Sequence, residues 1–191
     1  MSISNMKFKI LPAPRSMTEA EMHPHWALKN FGLQGDNIVA FRGAFEVPPE
    51  KWFDLDAIMH GQEVLPGEML HFVIEHFDCN IREILMRQYI LVSVVEEKLI
   101  HRMNSPDHCL VRLGEDLFDG ENRISVTGCT ITPVSAKLHL GLYLDSSLQA
   151  GVHGIKAYNV KALELAELVI NQYRAEMRRL EEKSWRVRPI I

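Results

Sequence analysis

The chain has 191 residues, of which 47% are hydrophobic and 24% are charged, and its formal net charge at pH 7 is -4. These values predict one soluble globular domain over residues 1–191 and argue against a general nucleic-acid-binding surface. No apolar run approaches the ~20 residues of a membrane span, and the N-terminus lacks signal-peptide character, so we expect a cytoplasmic protein with no membrane partner.

The first part of the chain alternates predicted strands with turns and short helices. The expected elements are an edge strand near residues 6–10, a weak helix at 18–22, a strand at 37–47, a short helix at 50–59 and a strand at 69–77. In the last of these, alternation places His71 and Glu75 on one face and His76 and Asp78 on the other. Both faces therefore mix apolar and ionisable groups.

Two pairs of residues in this part are candidate metal ligands. His76 and Asp78 could hold a metal, although a histidine that fixes a neighbouring loop is the alternative interpretation. His23 and His25 flank a proline, a spacing that also reaches one metal but that is more often polar surface.

A long helix is predicted to begin at Asn80, because Asn80 and Glu83 form a capping-box pattern. Apolar residues then recur at helical spacing up to Leu99. The stripe is interrupted at Gln88, beside Arg87, which predicts either a buried hydrogen-bond anchor or a group that faces a cavity. A final helix is predicted from Asn159 to about Lys183.

Residues 108–145 predict a β-meander with strands at 108–113, 116–118, 123–131 and 137–145. In the last strand, leucines occupy one face, and His139, Gly141, Tyr143 and Asp145 occupy the other. That second face is typical of a pocket wall, and an ordinary half-solvated sheet is the alternative. The complete pattern predicts an α+β fold with a mixed, largely antiparallel sheet flanked by helices.

Three segments of the meander resemble the catalytic region of biotin and lipoate protein ligases, which share the class II aminoacyl-tRNA synthetase fold. They are Arg-Leu-Gly-Glu-Asp-Leu at 112–117, Asn-Arg-Ile-Ser at 122–125 and His-Leu-Gly-Leu-Tyr-Leu at 139–144. The whole chain is more similar to a family of unknown function, number three-sixty-six in its series. The segments that carry this second resemblance are 26–32, 41–43, 70–78, 87–88 and the meander.

The ligase resemblance implies a pocket on one sheet face that binds an acid and a nucleotide, forms an acyl-adenylate and passes the acyl group to an amine. Asp116 matches the last aspartate of the first ligase segment, Arg112 and Arg123 fall at two ligase lysine positions, and Gly141 matches a strand glycine. The implied catalytic set is Asp116, His139, Arg112 and Arg123. The candidate substrate-binding residues, from this resemblance, the second one and the interrupted helix stripe together, are Arg42, Gly43, Arg87, Gln88, Ser125 and Gly141.

Both ligase lysine positions carry arginine here. Arginine can stabilise a phosphate or an oxyanion, but it cannot act as a deprotonated amine, so ordinary biotin or lipoate ligation is not expected. We predict a transferase or ligase-like enzyme for a small molecule, with ATP or another nucleotide and a divalent metal as candidate cofactors. This prediction requires Arg112 and Arg123 to line one concave site.

Two other hypotheses fit the same residues. One is a non-catalytic ligand-binding module of the same fold, and the other is a metal-dependent hydrolase that uses His71, Glu75, His76 and Asp78. A homodimer is expected from the resemblance and from the abundance of two-fold oligomers.

Overall fold

A computed structural model describes residues 6–52, 64–65, 67–103, 108–147 and 151–184. Its main sheet has five strands in the order β1-β2-β3-β8-β7. These strands are β1 Lys7–Ile10, β2 Asn37–Ala44, β3 Glu68–His76, β7 Ser125–Ile131 and β8 Ala136–Tyr143. β1 pairs with β2 in parallel and the other neighbours are antiparallel, which confirms the predicted mixed, largely antiparallel sheet.

A smaller sheet has three strands in the order β4-β5-β6. They are β4 Leu110–Leu113, β5 Asp116–Asp119 and β6 Asn122–Arg123. The single strand predicted at 123–131 is therefore wrong. The chain changes sheets at the fully buried Ile124, whose backbone N–H donates to the Leu117 carbonyl.

Within the described residues, three α-helices accompany the sheets: α1 Trp26–Phe31, α2 Ile81–Ile100 and α3 Ala162–Ser184. The capping box of α2 is confirmed, because Asn80 and Glu83 each accept from the other's backbone N–H. The predicted start of the last helix at Asn159 is wrong. Asn159 has a φ of 58° and ends a 3-10 turn, so α3 begins after it. α1 was not predicted, and most of the helix predicted at 50–59 lies outside the described residues.

The two faces of the main sheet have different coverings. α2 and α3 pack on one face, here called the helix face, around Ala40, Phe72 and Leu140. The other face is covered by Met17, Met22, Trp26, Trp52 and Val152. We call it the polar face, because His71, Glu75, Lys137 and His139 lie on it. None of the helices within the described ranges combines the length and apolarity of a membrane span.

Candidate functional site

Four ionisable side chains from adjacent strands meet on the polar face. β3 contributes His71 and Glu75, and β8 contributes Lys137 and His139; all four are 0% exposed. In the antiparallel register Glu75 lies opposite Lys137, while His139 lies opposite Val73. Within each strand, residues of equal parity share a face, and the register of β3 against β8 places the two pairs on the same face. Buried charges are costly unless they are paired, so the partners of each group in the cluster matter.

The Glu75–Lys137 pair is close but incompletely hydrogen-bonded. Lys137 Nζ lies 3.5 Å from Glu75 Oε2, and neither atom makes a hydrogen bond. The other carboxylate oxygen, Oε1, accepts from the His25 backbone N–H at 2.8 Å and from the Ser135 hydroxyl at 2.7 Å. Burial lowers the pKa of Lys137 to about 8, although Glu75 opposes this shift. The ammonium also lies 6.0 Å from the centre of the Trp26 ring, whose Nε1 is buried without a partner.

The two histidines form a directed chain. His71 Nε2 lies 3.0 Å from the Gly43 carbonyl oxygen, which can only accept, so His71 carries its proton on Nε2. His71 Nδ1 must then accept from His139 Nε2, 3.0 Å away. This assignment leaves His139 Nδ1 as a buried, unpartnered lone pair. Burial lowers the pKa of His71 to about 4 and that of His139 well below its ordinary value, so both rings are neutral at pH 7.

Aromatic rings surround the histidine chain. Phe45 and Trp52 each lie 5.7 Å from His139 between ring centroids, and Phe41 lies 5.1 Å from His71. An apolar environment of this kind disfavours the charged imidazolium, which is the physical cause of the depressed pKa values. The polar face therefore combines uncharged bases, one ion pair and flat apolar walls.

A second polar cluster lies where the two sheets meet. Arg123 donates from Nη2 to Asp116 and from Nε to the Ser125 carbonyl oxygen at 3.0 Å. Ser125 Oγ accepts from the Leu117 backbone N–H at 2.8 Å and donates to Asp116. Burial raises the pKa of Asp116 to about 6, against the opposing effect of Arg123. Asp116, Arg123 and Ser125 therefore lie next to one another, as the resemblance implied. Their polar groups are hydrogen-bonded to each other within the protein.

Arg112 does not join them. It pairs with Leu117 in the small sheet, while Arg123 pairs with Phe118, so the two arginines lie on opposite faces. Arg112 Nη1 instead donates to Ser93 Oγ on α2 at 2.7 Å, and its guanidinium lies over Tyr89. The requirement that both arginines line one concave site is not met. A four-residue strand has no register that the sequence reveals, and this is why the expectation was wrong.

The two glycines among the candidate binding residues, Gly43 and Gly141, are each closely approached by other atoms of the protein. A Cβ on Gly43 would lie 1.9 Å from the Arg15 carbonyl oxygen, and one on Gly141 would lie 2.8 Å from Met69 Sδ. Arg42 turns away from the polar face, because it pairs with Leu70 of the helix-face core. At both glycines, the space next to the Cα is therefore occupied by the protein's own atoms.

Arg87 and Gln88 also belong to the helix face. Gln88 Nε2 donates to Thr127 Oγ1 at 2.9 Å, and that hydroxyl donates to the Glu115 carbonyl oxygen. Of the two interpretations of Gln88, the buried anchor is the one observed. Arg87 Nη1 lies 3.9 Å from Asp36 Oδ2, far along the sheet from the histidine chain.

His76 is fully engaged within the protein. Its Nδ1 lies 2.7 Å from Asp36 Oδ2, and its Nε2 lies 2.9 Å from the Tyr173 hydroxyl. Asp78 is not a partner of His76 and has a φ of 49° in the turn after β3. The described ranges contain no group of three or more histidine, cysteine, aspartate or glutamate side chains that could hold a metal. The hydrolase set is also divided, since His71 and Glu75 face away from His76 as the alternation predicted.

Two residues of the polar face were not predicted as site residues from the sequence: Lys137, and Trp26, whose ring lies next to it. Lys137 has the same parity as His139 in a strand otherwise rich in leucine, and that parity was the available signal. No comparable signal exists for Trp26, because it reaches the cluster from α1, which the sequence did not predict.

Solved structures share this fold. Lipoate-protein ligase A bound with ATP superposes with a TM-score of 0.54 and 14% identity, covering 90% of this chain and 85% of that one. The biotin protein ligase of Aquifex aeolicus gives a TM-score of 0.58 and 12% identity, with coverage of 94% and 73%. A protein of unknown function from Pyrococcus horikoshi gives a TM-score of 0.83 and 24% identity, with coverage of 97% and 100%. The predicted biotin/lipoate ligase-like fold is confirmed.

The family is also clear. Residues 6–188 match the family described as "Domain of unknown function (DUF366)". An uncharacterised protein of Methanocaldococcus jannaschii is 32% identical over 183 residues, which cover 91% of this chain and 80% of that relative. The chain belongs to the DUF366 family, as the sequence resemblance indicated.

Proposed function

We propose that this protein is a ligase-like enzyme that binds a small molecule on the polar face and transfers its acyl group through an adenylate. In this reaction a substrate carboxylate attacks the α-phosphorus of ATP and releases pyrophosphate. An acceptor amine then attacks the acyl carbon and releases AMP. The observation that carries the proposal is the cluster of buried, incompletely bonded ionisable groups on one face of a ligase-like sheet.

Two features support a ligand on this face. Lys137 Nζ, Trp26 Nε1, Glu75 Oε2 and His139 Nδ1 are all buried without hydrogen-bond partners. Native cores rarely leave such atoms unpaired, so four of them among neighbouring residues of the polar face favour an additional polar partner there. The lipoate-protein ligase of the same fold is described as bound with ATP, which supports a nucleotide as co-substrate.

One observation favours a non-catalytic binding module instead. Arg123 stands at a ligase lysine position, and its guanidinium is engaged by Asp116 and the Ser125 carbonyl oxygen. A side chain held in this way is poorly placed to neutralise charge on a reacting phosphate. This alternative predicts ligand binding without turnover.

Thermal unfolding of the purified protein tests the proposal. The screen contains ATP with magnesium, a panel of small carboxylic acids, and both together, since a ligand of the folded state raises Tm by mass action. We expect an acid to raise Tm further with ATP, and we expect exchange of labelled pyrophosphate into ATP. Lys137→Met should abolish the acid-dependent shift. Lys161→Met is the matched control, because Lys161 is 79% exposed and lies in a surface ion pair with Glu164.

The outcomes separate the two candidates. A Tm shift with pyrophosphate exchange supports the enzyme, while a shift without exchange supports the binding module. If neither ATP nor any acid changes Tm in the wild-type protein, the proposal is abandoned.

A further inference from the structure

Four of the unpartnered atoms on the polar face divide equally into donors and acceptors. Lys137 Nζ and Trp26 Nε1 are hydrogen-bond donors, whereas Glu75 Oε2 and His139 Nδ1 are acceptors. The assignment of His139 Nδ1 as an acceptor follows from the chain that ends at the Gly43 carbonyl oxygen. A partner for this cluster must therefore both accept and donate hydrogen bonds.

The charges around the cluster are already balanced. Lys137 faces Glu75, and the nearby Glu21, which is 1% exposed, accepts from Arg15 Nη2 at 2.8 Å. Adding a carboxylate would leave an excess negative charge in a buried site, and the desolvation of an uncompensated charge is strongly unfavourable. An uncharged polar group would satisfy the same atoms without this penalty.

The distance between Lys137 and His139 and the aromatic rings beside them further restrict the chemical group that could bind here. Lys137 and His139 are two residues apart on β8, a separation of about 7 Å along the strand. The rings of Phe45 and Trp52 border His139, and the indole of Trp26 borders Lys137. Aromatic neighbours of this kind favour a planar group, and the unpartnered donors and acceptors favour a carbonyl oxygen with an adjacent N–H.

We propose that the part of the ligand that enters this cluster is an uncharged amide-type group, and that the ligand's carboxylate lies outside it. The carbonyl oxygen accepts from Lys137 and Trp26, and the N–H donates to Glu75 Oε2 or His139 Nδ1. This inference rests on the proposed function for the location of the ligand, and it specifies the chemistry that the site recognises.

Four matched small probes test it: 2-pyrrolidinone, N-methyl-2-pyrrolidinone, cyclopentanone and cyclopentanecarboxylate. The first carries a carbonyl and an N–H, the second and third lack the N–H, and the fourth is anionic. Binding is followed by NMR through the Trp26 indole N–H resonance, which is assigned from its loss in Trp26→Phe. We expect only 2-pyrrolidinone to shift this resonance strongly, with the N-methyl compound about tenfold weaker, since one hydrogen bond in a buried site is lost.

Variants define the contacts. Ligand-observed NMR should show about tenfold weaker binding of 2-pyrrolidinone to Trp26→Phe and Lys137→Met, and unchanged binding to Lys161→Met. Trp26→Phe keeps an aromatic ring but removes the N–H donor together with the five-membered ring of the indole. This variant provides the test if Lys137→Met fails to fold.

The contrary results are distinct. Tighter binding of cyclopentanecarboxylate than of 2-pyrrolidinone overturns the amide inference and leaves the proposed function standing. The inference is also overturned if no probe perturbs Trp26 in a protein whose Tm responds to ATP and an acid. If the protein responds neither to the four probes nor to ATP and the acids, the proposed function is overturned as well.

Discussion

Glu75 and Lys137 lie opposite each other on β3 and β8, both fully buried, with 3.5 Å between Oε2 and Nζ. A hydrogen bond between these atom types is normally 2.7–3.2 Å long, so the pair is held together mainly by charge. A buried pair of this kind contributes little net stability, because desolvation of both ions offsets their attraction. Its presence in the core is consistent with the recognition role that we propose for the polar face.

Removing one member of this pair should destabilise the protein strongly. Lys137→Met or Glu75→Gln leaves a buried partner uncompensated, which costs about 3–5 kcal/mol, whereas the double variant should recover most of this loss. Urea unfolding followed by circular dichroism measures the difference. Lys161→Met, in an exposed pair, should change the unfolding free energy by at most about 1 kcal/mol. Equal stability of Lys137→Met and the wild type would contradict a charged buried lysine.

The buried lysine should also make stability depend on alkaline pH. Burial lowers the pKa of Lys137 from 10.5 to about 8 in the folded protein. Between these values the unfolded chain binds more protons than the folded one, so the unfolding free energy gains a positive contribution as pH rises. The slope is at most about 1.4 kcal/mol per pH unit. Urea unfolding from pH 7.5 to 10 should show this contribution in the wild type and its loss in Lys137→Met. Parallel curves for the two proteins would indicate an ordinary lysine.

The histidine chain predicts fixed tautomers. His71 and His139 should both carry their proton on Nε2, and neither ring should become charged near neutral pH, since burial holds the pKa of His71 at about 4. Long-range ¹H–¹⁵N NMR distinguishes the two nitrogens of each ring. His101, on the exposed end of α2, is the internal comparison. A His71 resonance that titrates between pH 6 and 7 would show that the ring is not buried in this way.

Gly43 should tolerate no side chain. In Gly43→Ala the new Cβ would meet the Arg15 backbone carbonyl at 1.9 Å, and a backbone atom cannot move aside as a side-chain end can. We expect a loss of about 3 kcal/mol, at the upper end of the cost of overpacking. Gly32→Ala is the control, because Gly32 has open space around it and only the left-handed backbone penalty of about 1–2 kcal/mol applies at its φ of 70°. Comparable Tm values for the two variants would contradict the close approach of residue 15.

Strand alternation was the most reliable part of the sequence interpretation. It correctly grouped His71 with Glu75 and His139 with Gly141, because side chains on a strand alternate whatever the strand pairs with. It could not join these two groups into one cluster, since the register of β3 against β8 depends on contacts distant in sequence. The position of Trp26 depends in the same way on α1, a helix of six residues with too short a periodic pattern to recognise.

The prediction that Arg112 and Arg123 line one site was wrong for a similar reason, since it also depended on strand register. The different surroundings of the two arginines can be tested. Arg123 supports Asp116, which is 7% exposed, whereas Arg112 bonds Ser93 at the surface of α2. Arg123→Ala should therefore destabilise the protein by about 1.5–3 kcal/mol, the value of a hydrogen bond to a charged group, and Arg112→Ala by less than about 1 kcal/mol. Arg123→Lys, which installs the residue type of the ligases, keeps the charge but loses the forked geometry and should fall between them. Urea unfolding orders the three variants. A larger loss for Arg112→Ala than for Arg123→Ala would contradict the assignment of the more buried contacts to Arg123.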